Sequence, residues 1–99
     1  MQLSYIYILK CNDNSYYTGV TSNLEKRFGQ HQSGFYKGSY TYFRRPLALV
    51  FHASFTDINL AIDTEKQIKK WSRAKKEALI NDEYEALSNL AKKKFRANK

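Results

Sequence analysis

Few side chains in this sequence can do chemistry, and their spacing is informative. Tyr7 and Tyr17 stand on either side of a polar stretch, within Tyr5-Ile6-Tyr7 and Tyr16-Tyr17-Thr18-Gly19. Arg27 and His31 are four residues apart, which on a helix sets a guanidinium beside an imidazole. Glu65 sits among apolar residues. At about 100° per residue, Ile58, Ala61, Ile62, Ile68 and Trp71 form a helical stripe, and Glu65 falls inside it, between Ala61 and Ile58 in angle. An unpaired carboxylate there costs several kcal/mol, or shifts its pKa until it is neutral. Glu65 therefore requires a cation, which either a Lys/Arg side chain or a divalent metal can supply.

The elements that must position these groups follow from pattern. Aromatic and β-branched residues alternate on both sides of Asn12-Asp13-Asn14-Ser15, which predicts an antiparallel hairpin. Ile6 and Ile8 share one face of it, and Tyr5, Tyr7 and Leu9 the other. Tyr7 and Tyr17 share a face only if the turn has an odd number of residues. Gly19 leaves open backbone beside that face, room for a ligand or another segment; the simplest use of the tyrosines is as cross-strand packing partners. Ser22 and Glu25 have capping-box spacing, predicting a helix from about Asn23 to Gln32 that stops at Gly34. Leu24 and Phe28 form its apolar stripe, with Arg27 and His31 along one edge; a solvated edge with an incidental histidine is the competing reading.

Residues 33–46 form a long connection in which aromatics and bases interleave without a period. Tyr40 there can stack on a nucleotide base while Lys37, Arg44 and Arg45 meet phosphates, or the aromatics fold back onto the domain. Leu47 to Phe55 alternates and is apolar on both sides for much of its length, predicting a third strand in a central or helix-covered position, with His52 structural. Asp57 caps a helix to about Trp71. A short helix from Arg73 to Ile80, with Ala74 and Ala78 inward, precedes a last one carrying Tyr84, Leu87, Leu90 and Ala91.

Ninety-nine residues make one domain, read as 1–91 with a basic tail over 92–99. An apolar content of 42% with 15% aromatics argues for a folded globule. Cys11 is the single cysteine, so no disulfide or cysteine-based zinc site forms within one chain. No stretch approaches the ~20 apolar residues of a membrane span, and the first residues lack signal-peptide character. A soluble cytoplasmic protein with no membrane partner is expected. The net charge is +8, and residues 66–76 hold six bases and no acid. Such an excess favours a polyanion, most simply nucleic acid, through Lys69, Lys70, Arg73 and Lys76.

Together these features resemble the GIY-YIG nuclease family. Tyr5-Ile6-Tyr7 is similar to the first signature triplet and Tyr17-Thr18-Gly19 to the second. The match continues through Arg27, His31, Tyr40-Thr41, Arg44-Arg45-Pro46 and Glu65. The small stand-alone bacterial members are most similar, as is the N-terminal nuclease domain of the excision-repair endonuclease. The resemblance implies an α+β fold, a small three-stranded antiparallel sheet flanked by helices. It also implies hydrolysis of DNA phosphodiester bonds with Mg²⁺ or Mn²⁺, in repair or recombination, on DNA that includes branched or single-stranded forms. Glu65 would hold the metal, Tyr17 would activate or position the attacking water with Tyr7 alongside, Arg27 would meet the phosphate, and His31 would stand near the reacting group. Tyr5 replaces the family's glycine and Thr18 its second isoleucine. Val20 stands where some branches carry Lys, and residues 66–80 lack the Asn that some place after the glutamate.

That chemistry is coherent in itself. A metal on one carboxylate neutralises phosphoryl charge and helps the leaving oxygen, and a guanidinium takes the non-bridging oxygens. A tyrosine of ordinary pKa, about 10, is a poor base at neutral pH unless a metal or Arg27 favours phenolate. Two rivals share the fold: a non-catalytic nucleic-acid-binding module, and a nuclease subunit that needs a protein targeting partner.

Overall fold

The computed structural model describes residues 2–82; the predicted helix carrying Tyr84 to Ala91 and the basic stretch 92–99 lie outside the described residues. Three strands, β1 (Ser4–Lys10), β2 (Tyr16–Thr21) and β3 (Ala48–Phe55), pair antiparallel in the order β2-β1-β3. β1 takes the centre because it is apolar on both faces: Ile6, Tyr7, Ile8 and Leu9 are each at most 1% exposed. Ile6 and Ile8 pack against Ala61 and Ile68 of α2 (Ile58–Lys69) and Ala78 and Leu79 of α3 (Arg73–Ile80). Tyr7 and Leu9 pack on the opposite face, with Leu24 and Phe28 of α1 (Leu24–Ser33) against their cluster. Among the described residues the result is an α+β sandwich with one helix on one side of the sheet and two on the other.

Three local expectations are corrected. β3 is an edge strand and not a central one, although helix-covered as expected, since Phe51 and Phe55 pack with Ala61 and Ile68 of α2 and Ala78 and Leu79 of α3. Its alternation also breaks at a bulge: Ile8 pairs with Phe51 and Leu9 with Leu49, so Val50 is skipped. The extra residue changes which face follows. Leu47 and Leu49 join the Tyr7 cluster, while Phe51 and Phe55 join Ile6 and Ile8. On α2 the buried stripe is Ala61, Thr64, Glu65 and Ile68. Ile58 has the right angle for it but sits in the first turn, at the helix end, and is 47% exposed. On α3, Ala78 and Leu79 are buried, whereas Ala74 is exposed.

The caps explain where the helices begin and end. Asn23, one residue after Ser22, is the N-cap of α1 and accepts from the Lys26 backbone N–H at 3.1 Å. Gly34 closes the helix at φ 76°, a left-handed conformation that glycine adopts without strain. Asp57 caps α2 by accepting from the Asn59 N–H at 2.9 Å.

One buried group in β2 is unsatisfied. Thr18 faces α2 beside Ile8, is 2% exposed, and its hydroxyl has no hydrogen-bond partner among the described residues. Thr18→Val keeps the shape and removes the orphaned group, so stability should rise by about 1 kcal/mol. Thermal denaturation should show this as a melting temperature higher by roughly 4–8 °C.

Candidate active site

The hairpin turn, residues 11–15, is odd in length: Lys10 pairs with Tyr16 across it. Tyr7 and Tyr17 therefore share a face, with ring centroids 6.4 Å apart. Tyr7 lies directly opposite Gly19, and its ring crosses the glycine. A Cβ at position 19 would lie 2.5 Å from Tyr7 Cζ and closer still to the hydroxyl. The space expected beside Gly19 is filled by Tyr7 itself.

His31 is 3% exposed, not an incidental group on a solvated edge. Its Nε2 is 3.0 Å from the Tyr7 hydroxyl and its Nδ1 is 2.9 Å from Thr41 Oγ1. The Tyr17 and Tyr36 rings flank it at 5.3 and 5.8 Å between centroids. Burial, and next the neighbouring Tyr17, push the Tyr7 phenol up to about 12, with the nearby Arg27 charge working the other way. Burial, and next Arg27, hold the His31 imidazolium below its ordinary range. At neutral pH the phenol thus keeps its proton and the imidazole is neutral, and in the tautomer protonated on Nδ1 the Tyr7 O–H donates to Nε2. Arg27 does not bring Tyr7 toward phenolate, because the desolvation of a buried ring outweighs it.

The Arg27 guanidinium also lies 5.7 Å from the Tyr36 ring centroid. With Thr21, Ser22, Asn23, Lys26, Gln30 and Tyr36 it lines a cleft of about 410 Å³. Two cations and no carboxylate border this cleft, so it suits an anion.

Glu65 is 7% exposed and does have a cationic partner: Lys69 Nζ is 2.7 Å from its Oε1. The same ammonium stands 5.8 Å from the Tyr17 ring centroid. Glu65 comes from the helix layer on the far side of the sheet from Tyr7, and Lys69 joins the two sides at the β2 edge. Among the described residues no three His, Cys, Asp or Glu side chains gather. That donor set does not suit zinc, which takes four protein ligands or three plus water. It fits a hard ion such as Mg²⁺ or Mn²⁺, which binds one carboxylate and completes its shell with water and phosphate.

The predicted nucleic-acid residues divide into two groups. Arg44 pairs with Asp13 at 3.0 Å, donates to the Tyr40 carbonyl, and stands 3.8 Å from the Tyr40 ring centroid. Arg45 donates to the Tyr42 carbonyl at 2.9 Å. Arg73 donates to the Asn14 carbonyl, pairs with Glu77 and stacks over Tyr16. These three guanidiniums hold the loop and the hairpin turn in place. Tyr40 stacks on Tyr17 at 6.1 Å, Lys69 pairs with Glu65, and Lys76 is partly buried, which lowers its pKa. Lys37 and Lys70 are exposed. Sequence reasoning passed over Thr41 and Tyr36 as site residues. The Tyr40-Thr41 match was the one signal for Thr41, and nothing in the period marked Tyr36.

A family model described as the GIY-YIG catalytic domain matches residues 3–78. The chain is 44% identical over 87 residues to a UPF0213 protein of Syntrophus aciditrophicus, covering 88% of this chain and all of that one. The solution structure of a UPF0213 protein from Bacillus halodurans is similar with a TM-score of 0.53 and 41% identity, covering 80% of this chain and 83% of that one. That of a protein from E. faecalis gives 0.60 and 30%, covering 90% and 94%. Among the described residues no helix is long and apolar enough to cross a membrane. The hairpin that carries Tyr7 and Tyr17, the helix that carries His31 and the helix that buries Glu65 all lie within the matched residues, and the chain belongs to the GIY-YIG nuclease family, with UPF0213 proteins among its relatives.

Proposed function

We propose that the domain is a DNA endonuclease that hydrolyses phosphodiester bonds with Mg²⁺ or Mn²⁺ held by Glu65. The observation that carries this reading is the buried Tyr7–His31 hydrogen bond with Arg27 beside the phenol. The phosphate enters the cleft beside Arg27, whose guanidinium takes the non-bridging oxygens, with Lys26 adding positive charge. As the attacking water approaches phosphorus, it gives a proton to the Tyr7 oxygen while Tyr7 passes its own proton to His31 Nε2. The water O–H bond breaks, the new P–O bond forms and the bond to the leaving oxygen breaks, without a free phenolate. Tyr17, on the same face, positions the water. A metal ion on Glu65 supplies charge neutralisation and help for the leaving oxygen. Lys37 and Lys70 contact flanking phosphates, and Tyr40, Arg44, Arg45 and Arg73 keep the loop and turn in position beside the strand.

The test is cleavage of duplex, single-stranded and branched DNA, including forms met in repair or recombination, with added Mg²⁺ or Mn²⁺. Because proton acceptance needs neutral His31, the rate should fall as pH drops through the His31 pKa. Tyr7, Tyr17, Tyr36 and Arg27 face the ring, and its pKa lies below the ordinary ~6.5. The acid limb should therefore lie under about 6.5, and His31→Gln should remove it along with most of the rate. The Glu65–Lys69 pair favours a second reading, a nucleic-acid-binding module, since it satisfies the carboxylate without metal. Binding to DNA with no cleavage of any form, metal or not, even with a targeting partner present, assigns the domain to that reading.

A further inference from the structure

We propose that Thr41 is the positioning residue of this site, holding the His31 ring so that its proton sits on Nδ1 and its Nε2 lone pair faces Tyr7. The inference rests on the Tyr7–His31 proton transfer above. A neutral imidazole has one donor and one acceptor nitrogen, and the partner of one decides the state of the other. The proton transfer above needs the Tyr7 O–H as the donor at Nε2, 3.0 Å away; Nδ1 then carries the proton and donates to Thr41 Oγ1 at 2.9 Å. Thr41 Oγ1 also bonds to Ser39 Oγ at 3.1 Å, where its own O–H can be the donor once Nδ1–H occupies a lone pair.

A second observation separates this role from loop structure. Thr41 opens the 3-10 turn Tyr42–Arg44, yet its side chain makes no capping bond there. At 1% exposure, Thr41 leaves little room for water to replace its hydroxyl. A hydroxyl also suits the task better than a carboxylate. It orients the ring without adding a negative charge that would raise the basicity of His31 and leave it protonated at rest. When Nε2 takes the Tyr7 proton, the Nδ1–H···Oγ1 bond remains and becomes charge-assisted.

The experiment is NMR of isotope-labelled histidine at neutral pH in a His52→Gln background, so that the ring nitrogens observed are those of His31. The wild-type ring should be protonated on Nδ1. In Thr41→Val, nearly the same shape without the acceptor, the proton should move toward Nε2, and kcat should fall about tenfold or more with KM unchanged. Thr41→Ser should restore both. A Thr41→Val protein whose tautomer matches wild type overturns the proposal, as does equal loss of rate in Thr41→Val and Thr41→Ser. The tautomer is read without DNA, so the two ideas fail separately. A wild-type protein inert on every DNA, whose tautomer still follows Thr41, loses the nuclease reading and keeps the positioning role.

Discussion

Gly19→Ala should remove cleavage and destabilise the domain together. The added Cβ would lie 2.5 Å from Tyr7 Cζ and 2.9 Å from Cε1, well inside van der Waals contact. Tyr7 has nowhere to go: its ring is 1% exposed and its hydroxyl is held by His31 at 3.0 Å. Either the ring leaves its position or β1 and β2 move apart, and both break the Tyr7–His31 bond. Overpacking of this kind costs about 1–3 kcal/mol, which a denaturant titration reads directly. Losing a positioned proton-transfer group should lower kcat about a hundredfold or more. Adding Tyr7→Phe should not rescue the variant, because the clash with Cζ persists after the hydroxyl is gone. A Gly19→Ala protein as stable as wild type would show that the ring does not cross the glycine.

Glu65→Ala should act oppositely on the two observables: cleavage lost, stability and DNA binding largely kept. The carboxylate is nearly buried, but the Lys69 side chain is 51% exposed, so its ammonium turns to water once Glu65 is gone. No uncompensated charge is left inside, which is what makes breaking a buried pair costly elsewhere. A loss of about three orders of magnitude in kcat, roughly 4 kcal/mol of barrier, is expected if Glu65 holds the metal. Glu65→Gln should match it, since the amide keeps the volume but not the charge. Lys69→Ala separates the two roles of the carboxylate. It removes the ion pair and leaves the metal ligand, so it should retain far more activity than Glu65→Gln. Equal activities in the two variants, or wild-type cleavage by Glu65→Gln, would rule out a metal on this carboxylate.

Much of the site was legible before the fold. The hairpin, the adjacency of Arg27 and His31 and the burial of Glu65 follow from local periodicity, while the shared face of Tyr7 and Tyr17 was conditional on an odd turn, which the register supplies. Periodicity is a property of a single element, and these elements are regular. Where an element departs from regularity, the pattern misleads. The bulge at Val50 changes which residues of β3 face the site, and the end position of Ile58 leaves an apolar residue in water.

What the sequence determined by itself, among the described residues, is the set of three strands and three α-helices, the stop at Gly34 and the cap at Asp57, and the side chains that their regular stretches turn toward the sheet. These depend on backbone conformation and on 2- or 3.6-residue repeats that neighbours in the chain establish. What only the tertiary structure decided is partnership. Tyr7 fills the space at Gly19, Thr41 reaches His31 from a loop without a period, and Lys69 takes the charge of Glu65. Arg44, Arg45 and Arg73 bind the protein's own carbonyls. Each of these pairings depends on distance and desolvation, whether the partners are distant, as Arg73 and Asn14 are, or near in the chain, as Glu65 and Lys69 are. Composition can count such charges and hydroxyls, but only packing decides which are spent inside the molecule and which face a substrate.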